Sequence, residues 1–255
     1  MSSDPSRKPV RDAEPALSVV IPAYNEERRL PDTLRRIRAY LDAKRAEAEV
    51  IVVDDGSTDR TAAIVMEARA SWPVLRLVRN ETNTGKGYAV RHGVLEARGR
   101  LVLFTDADLS APIEEADKLL AVLGPYEMAI GSRAVDRSLI EVHQSRVREL
   151  AGIIFNKIVR AVTGVAFEDT QCGFKAFLRA PTRIVFEQQR TSWFGFDPEI
   201  LFLAKRHGLR VAEIPVRWRH NPDTKVKMFS DSLRMFAEVL KIRWNWMMGR
   251  YPNKA

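Results

Sequence analysis

The chain has 255 residues, 45% of them hydrophobic, which is enough for one substantial core and excludes an intrinsically disordered protein. Lys and Arg number 41 against 33 Asp and Glu, a formal charge of +8 that favours anionic ligands, whether nucleotides, nucleic acid or lipid headgroups. The single cysteine, Cys172, rules out an intrachain disulfide and a zinc site made of several cysteines, and it fits a reducing cytoplasm.

Residues 1–16 are rich in Ser, Pro, Arg and Asp with no apolar run, which predicts a flexible tail and no export signal. From Leu17 a β-branched strand, Leu-Ser-Val-Val-Ile-Pro, precedes a helical face of Leu30, Leu34, Ile37 and Leu41. The pattern then predicts a strand over 50–53, a helix over 59–70, a strand over 74–78, a helix over 85–97 and a strand over 101–104. Such alternation gives an α/β fold, a mostly parallel Rossmann-like sheet flanked by helices. Beyond it come a strand over 128–131, an amphipathic helix over about 145–163, a loop, further helices and a strand over 210–216. The stretch 147–167 is broken by Arg148, Glu149, Lys157 and Arg160 and cannot span a bilayer, so any membrane contact is expected to be peripheral. The expected organisation is a tail over 1–16, a single domain over 17–229, and an amphipathic C-terminal helix and tail over 230–255. Within the domain a nucleotide-binding half covers about 17–110 and an acceptor-binding half about 111–229.

Ligands of such sheets lie beyond the carboxyl ends of the strands, and here those ends are polar and acidic. They read Pro22-Ala-Tyr-Asn-Glu26, Asp54-Asp-Gly-Ser-Thr-Asp59 and Asp106-Ala107-Asp108. Alternate carboxylates leaving a strand can hold one hard divalent cation, Mg²⁺ or Mn²⁺, so Asp106 and Asp108 are the candidate metal ligands; the bland alternative is a cap for the next helix. Asp54 and Asp55 can accept from a base imide or a ribose hydroxyl, with Gly56 permitting close approach and Ser57 or Asp59 capping the helix. Asn83-Thr-Gly-Lys-Gly87 precedes a helix, so free N–H groups and Lys86 could attract a diphosphate, although it lacks Walker spacing and a plain glycine-rich turn explains it equally well. The four histidines are dispersed and show no metal-ligand spacing.

The ordered set PAYNE, DDGSTD, GKGYAV, DADLS, GSR and DTQCGFKAF resembles the large inverting family of type A glycosyltransferases, over nearly the whole stretch from Leu17 to about Phe229. Within it the wording is most similar to dolichyl-phosphate glucosyltransferases and related polyprenyl-phosphate mannosyltransferases. The resemblance implies that Pro22, Tyr24, Glu26, Val53 and Asp55 line the nucleoside, and that Asp106, Ala107 and Asp108 belong to the metal and diphosphate site. It implies that Arg133 contacts phosphate groups, that Asp169 is the acidic residue beside the reacting centre, and that Gln171 and Gly173 shape its loop.

A single displacement at the anomeric carbon inverts it and needs a leaving group whose charge is neutralised. A lipid-phosphate acceptor, with a second pKa of about 6, is already largely dianionic at neutral pH, so Asp169 is expected to position groups more than to act as a base. The candidate cations are Arg133, Arg146, Arg148, Arg217, Arg219, Lys225 and Lys227, with Arg219 and Lys225 assigned to the nucleotide sugar; a solvated basic surface is the alternative for each. In the C-terminal helix Leu233, Phe236, Ala237, Leu240, Trp244 and Met247 share one face, which either docks on the core or lies among lipid headgroups. The expected partners are therefore a nucleotide sugar, a polyprenyl phosphate and a cytoplasmic membrane face, with no nucleic acid and with an oligomer left open. UDP-glucose is the first donor expected and GDP-mannose the second. A transferase to a soluble hydroxyl acceptor is the nearest competing reading, and a basic nucleic-acid-binding module the more distant one.

Overall fold

The computed structural model describes residues 14–221 and 228–252. In chain order the elements are β1 (Leu17–Ala23), α1 (Leu30–Lys44), β2 (Ala48–Asp55), α2 (Thr61–Ser71), β3 (Leu75–Asn80), α3 (Lys86–Glu96) and β4 (Leu101–Thr105). There follow α4 (Ala116–Ala121), β5 (Met128–Ser132), β6 (Ile140–Val142), α5 (Arg146–Thr163), β7 (Phe174–Leu178), α6 (Arg179–Gln188), α7 (Phe196–Arg206), β8 (Val211–Pro215), β9 (Trp218–Arg219) and α8 (Met228–Met247). A seven-stranded sheet has the order β3-β2-β1-β4-β7-β5-β8, with β6 and β9 forming a small separate ribbon.

Every pairing in the large sheet is parallel except those of β7, which runs antiparallel to both β4 and β5. Because helices cover both faces, successive residues of β1 and β2 are buried on opposite sides, which is why these strands read as unbroken apolar runs. Val19, Ile21, Val50 and Val52 meet Leu30, Leu34 and Ile37 of α1 on one face. Val20, Ile51, Val53 and Phe104 meet Val90 of α3, Phe196 and Ile200 of α7, and Val239 and Ile242 of α8 on the other. α1 has the Pro31 ring in its first turn, where no N–H is needed, and stops at Arg45 in the left-handed conformation (φ 48°).

Three strands are absent from the sequence reading: the short β6 and β9, and the central β7, Phe174-Lys-Ala-Phe-Leu178, which falls in the stretch read only as a loop and further helices. Its second residue is a lysine with no exposed surface, a residue type that argues against a central strand. The charge is tolerated because Lys175 Nζ ion-pairs with Asp197 at the start of α7 and donates to Cys172 O at 2.5 Å. By entering between β4 and β5, β7 carries residues 169–173 to the end of β4, where Asp106 N donates to Gly173 O at 3.1 Å. Among the described residues no helix is long and apolar enough to cross a membrane.

Candidate active site

A cleft of about 230 Å³ opens beyond the carboxyl ends of β1, β2 and β4. Its lining includes Pro22, Tyr24, Glu26, Arg29, Asp55, Asn83, Lys86, Asp106, Ala107, Asp108, Trp193 and Phe194. The loops after β1 and β2 brace each other: Asn25 N donates to Ser57 Oγ at 2.9 Å, and Thr58 N to Asn25 Oδ1 at 2.9 Å. Asn25 sits at φ 53°, a left-handed conformation that asparagine tolerates. The buried Asp55 carboxylate fixes the next loop, accepting from Asn80 Nδ2 at 2.7 Å, Thr84 N at 3.2 Å and Gly85 N at 2.7 Å. Glu26 accepts two bonds from Arg29, at 2.6 and 2.5 Å, and Arg29 reaches to 3.7 Å from Asp108.

At the end of β4 negative charge is concentrated. Burial raises the Asp106 carboxyl above its ordinary value, and the Asp108 and Asp197 carboxylates push the same way against the opposing pull of Lys86. Lys86 Nζ lies 2.6 Å from Asp106 Oδ1; burial acts to discharge the ammonium, but Asp106, Asp197 and Asp108 outweigh it and hold its pKa above the usual lysine value. A divalent cation would relieve the same excess. Among the described residues no set of three or more His, Cys, Asp or Glu side chains converges to cage a metal. One or two carboxylates completed by substrate phosphates is nevertheless how Mg²⁺ is commonly held, so the Asp106 and Asp108 donors suit a cation that arrives with a diphosphate.

A second cavity, of about 290 Å³, shares Lys86, Asp106, Asp108 and Phe194 with the first and extends towards α5. Its lining is basic and polar at Arg133, Arg148, Gln144, Gln171 and His220, with Phe155, Trp218 and Met235 apolar. Arg133, immediately after β5, donates to the buried Asp169 from Nε at 2.6 Å, from a terminal nitrogen at 2.8 Å and from its backbone N at 3.0 Å. Burial alone would raise the Asp169 carboxyl, but the Arg133 guanidinium overrides it and brings it down to about 2. The loop that carries Asp169 is tied down by Asn156 of α5, which donates to Glu168 O and accepts from Thr170 Oγ1, both at 2.8 Å, and by Glu213, which accepts from Asp169 N at 2.7 Å. Cys172 beside it is a buried thiol raised to about 12, mainly by desolvation, and is therefore an unreactive packing residue.

The cleft thus gathers Pro22, Tyr24, Glu26, Asp55, Lys86, Asp106, Ala107 and Asp108 from distant stretches of sequence. Val53 and Asp54 lie behind it. Val53 is core, and Asp54 accepts from Ser57 N at 3.0 Å and from Arg79 Nε at 3.1 Å. Arg219 pairs with Glu141 at 3.0 Å outside both cavities, Arg217 pairs with Glu115 at 2.6 Å, and Lys225 and Lys227 lie outside the described residues. Sequence reasoning passed over Arg29, Asp197, Trp193 and Phe194. Arg29 was signalled by its three-residue spacing from Glu26, and the aromatic pair by its place just before Gly195. That aromatic loop is held by α8: Glu238 accepts from Gly195 N at 2.8 Å, and the Arg234 guanidinium stacks 4.0 Å from the Trp193 ring centre.

A parallel sheet interrupted by one antiparallel strand, with acidic strand ends around paired cavities, defines a type A glycosyltransferase. Residues 18–183 match the model for Glycosyl transferase family 2, and the chain belongs to that family. It is 36% identical over 238 residues to a dolichyl-phosphate beta-glucosyltransferase of Trichomonas vaginalis, covering 89% of this chain and 72% of that protein. Identity to the Saccharomyces cerevisiae dolichyl-phosphate beta-glucosyltransferase is 34%, covering 94% and 78%, and to the Homo sapiens one 34%, covering 92% and 77%. Glucosyl-3-phosphoglycerate synthase from Mycobacterium tuberculosis, crystallised with UDP, shares the fold with a TM-score of 0.67 at 22% identity, covering 91% of this chain and 81% of that one. The same enzyme with Mn²⁺, UDP-glucose and phosphoglyceric acid superimposes with a TM-score of 0.62 at 21% identity, covering 91% and 81%.

Proposed function

We propose that the protein transfers glucose from UDP-glucose to the phosphate of a dolichyl or related polyprenyl lipid, with inversion, while peripherally attached to the cytoplasmic face of a membrane. The observation that carries this reading is the pair of cavities meeting at Lys86, Asp106 and Asp108: one adds the acidic strand-end residues Glu26 and Asp55, the other brings Arg133 and Arg148 up to the same junction. Two substrates that must react with each other need such a junction, and their phosphates need opposite surroundings from a nucleoside. The names of the relatives described above support the choice of glucose and of a dolichyl phosphate.

In this reading Pro22, Tyr24 and Glu26 flank the nucleoside, and Asp55 receives its base or ribose while bracing residues 80–85. Val53 and Asp54 act from behind, one as core and one as the anchor of the 54–57 turn. Asp106 and Asp108 would hold Mg²⁺ or Mn²⁺, which, when bound, neutralises charge developing on the departing nucleoside diphosphate. Lys86 supplies a fixed positive charge at the junction. Arg133 and Arg148 attract and orient the acceptor phosphate, and Asp169 fixes the Arg133 guanidinium. Because both Asp169 oxygens already accept from Arg133, it is a poor proton acceptor, which agrees with a phosphate nucleophile that arrives deprotonated.

The test is a donor panel of UDP-glucose, UDP-galactose and GDP-mannose with Mg²⁺ or Mn²⁺, each with and without a polyprenyl phosphate. Glucosyl-lipid formed only from UDP-glucose, and only with the lipid present, is the expected result. Transfer to a soluble hydroxyl acceptor at a comparable rate would replace the reading.

A further inference from the structure

α8 has two apolar faces and buries only one of them. Val239 and Ile242 pack into the core with Asn245, whereas Leu233 (73% exposed), Phe236, Leu240, Trp244 (52%) and Met247 (66%) form an outward stripe at spacings of three, four, four and three. α5 does the same. It turns Val159 and Thr163 inward and leaves Val147 (68%), Leu150 and Ile154 outside, a row continued by half-buried Ile158 and exposed Ala161. The two rows converge in a groove where Ala161 and Val162 face Leu240, Trp244 and Met247. Contiguous exposure of this kind on two adjacent helices marks a binding surface and not ordinary surface scatter.

We propose that this joint face of α5 and α8 seats in the headgroup region of an anionic phospholipid bilayer and brings the mouth of the second cavity to the lipid surface. The preference for a lipid over a protein partner rests in part on the acceptor proposed above. Two further observations support it. Arg146 and Lys157 of α5, and Lys241 and Arg243 of α8, accompany the apolar rows, a composition suited to anionic headgroups, whereas Arg160 is paired with Glu168 at 2.7 Å. Two acids on these helices are engaged elsewhere: Glu149 accepts from Arg137 at 2.5 Å and contacts His143 at 2.8 Å, and Glu238 holds Gly195 N. The geometry also explains why these helices should meet lipid, because Arg148 and Phe155 of α5 and Met235 of α8 line that cavity. An acceptor whose tail stays in the bilayer can then present its phosphate to Arg148 and Arg133 without leaving the membrane.

The experiment compares wild type with L150E/I154E on α5 and W244E/M247E on α8, all at exposed positions, by co-sedimentation with vesicles of phosphatidylcholine and phosphatidylserine and of phosphatidylcholine alone. Wild type is expected to bind the mixed vesicles in preference, and each variant to lose about tenfold or more in partitioning. Glucosyl transfer to a short, water-soluble isoprenyl phosphate should stay within about twofold of wild type in both variants, while transfer to vesicle-borne long-chain polyprenyl phosphate falls with binding. Unaltered vesicle binding in both variants overturns the proposal, as does a change from dimer to monomer on size exclusion without any loss of vesicle binding, which would assign the face to a second copy. Absence of product with either acceptor, while wild type still binds vesicles and the variants do not, would leave the docking face standing and defeat only the glucosyl-transfer reading.

Discussion

Arg133 grips both carboxylate oxygens of Asp169, at 2.6 and 2.8 Å, and adds its own backbone N–H at 3.0 Å. The two residues are 36 positions apart and come together only because β7 returns the chain alongside β5. A carboxylate held this way is a fixed counter-charge. Its pKa of about 2 lies below the unfolded value near 3.8, so its contribution to stability is complete above that unfolded value and is lost as pH falls from about 4 through about 2. The shift corresponds to about 2 kcal/mol. An acidic limb in the rate profile above pH ~4 is therefore not expected to arise from Asp169.

Replacing Asp169 by Asn should reduce kcat by about a hundredfold, because the guanidinium loses its charged partner and its orientation. UDP affinity measured by calorimetry in the presence of Mn²⁺ should change by less than about threefold, since Asp169 does not line the cleft and acts through Arg133 of the second cavity. Arg133→Ala should show the same split, and the double variant should be hardly worse than either single one. Fully additive losses would mean that the two residues act separately.

Asp108 is partly exposed, and its carboxylate accepts from Ser110 N at 3.0 Å, so Asp108→Ala should keep its thermal midpoint within a few degrees. Metal-supported turnover should nevertheless drop by about a thousandfold, and calorimetry should show Mn²⁺ no longer strengthening UDP binding. Retention of the wild-type metal response would remove Asp106 and Asp108 from the proposed metal site.

Gly173 has a role that composition does not reveal. A Cβ built there would overlap the Asp106 carboxylate, so Gly173→Ala must displace either the loop or the aspartate. The expected cost is about 1–3 kcal/mol in urea unfolding and at least about tenfold in kcat/KM. Wild-type kinetics in this variant would show that Asp106 needs no fixed position.

The parallel half of the sheet and the acidic strand ends were legible because they follow local rules: apolar runs of four to eight residues, and polar residues just after them. What was hidden depends on partners far away in sequence. β7 was masked by Lys175, whose partner Asp197 lies 22 residues on. Lys86 looked like part of a plain turn until β4 brought Asp106 within 2.6 Å of it. Asp54 and Asp55 are neighbours in one motif, yet strand alternation sends one to Arg79 behind the cleft and the other into it. In α8 periodicity revealed an apolar face but not which of two such faces the core would take, since that is decided by the shape of the β-sheet's covering layer.

The Lys175 and Asp197 pair supplies a test of that last kind of hidden constraint. Both side chains are buried, so neither charge is solvated if the other is removed. Lys175→Met is expected to destabilise the fold by about 3–5 kcal/mol in chemical unfolding, because it strands the Asp197 carboxylate and also frees the Cys172 carbonyl. Adding Asp197→Asn should recover part of that loss by removing the stranded charge. The double variant should also separate stability from catalysis: Asp197 lines the second cavity beside Asp106 and Asp108, so kcat should remain depressed even where the midpoint of unfolding returns towards wild type. A single Lys175→Met change costing less than about 1 kcal/mol would mean that β7 is held by its ladder and apolar neighbours alone.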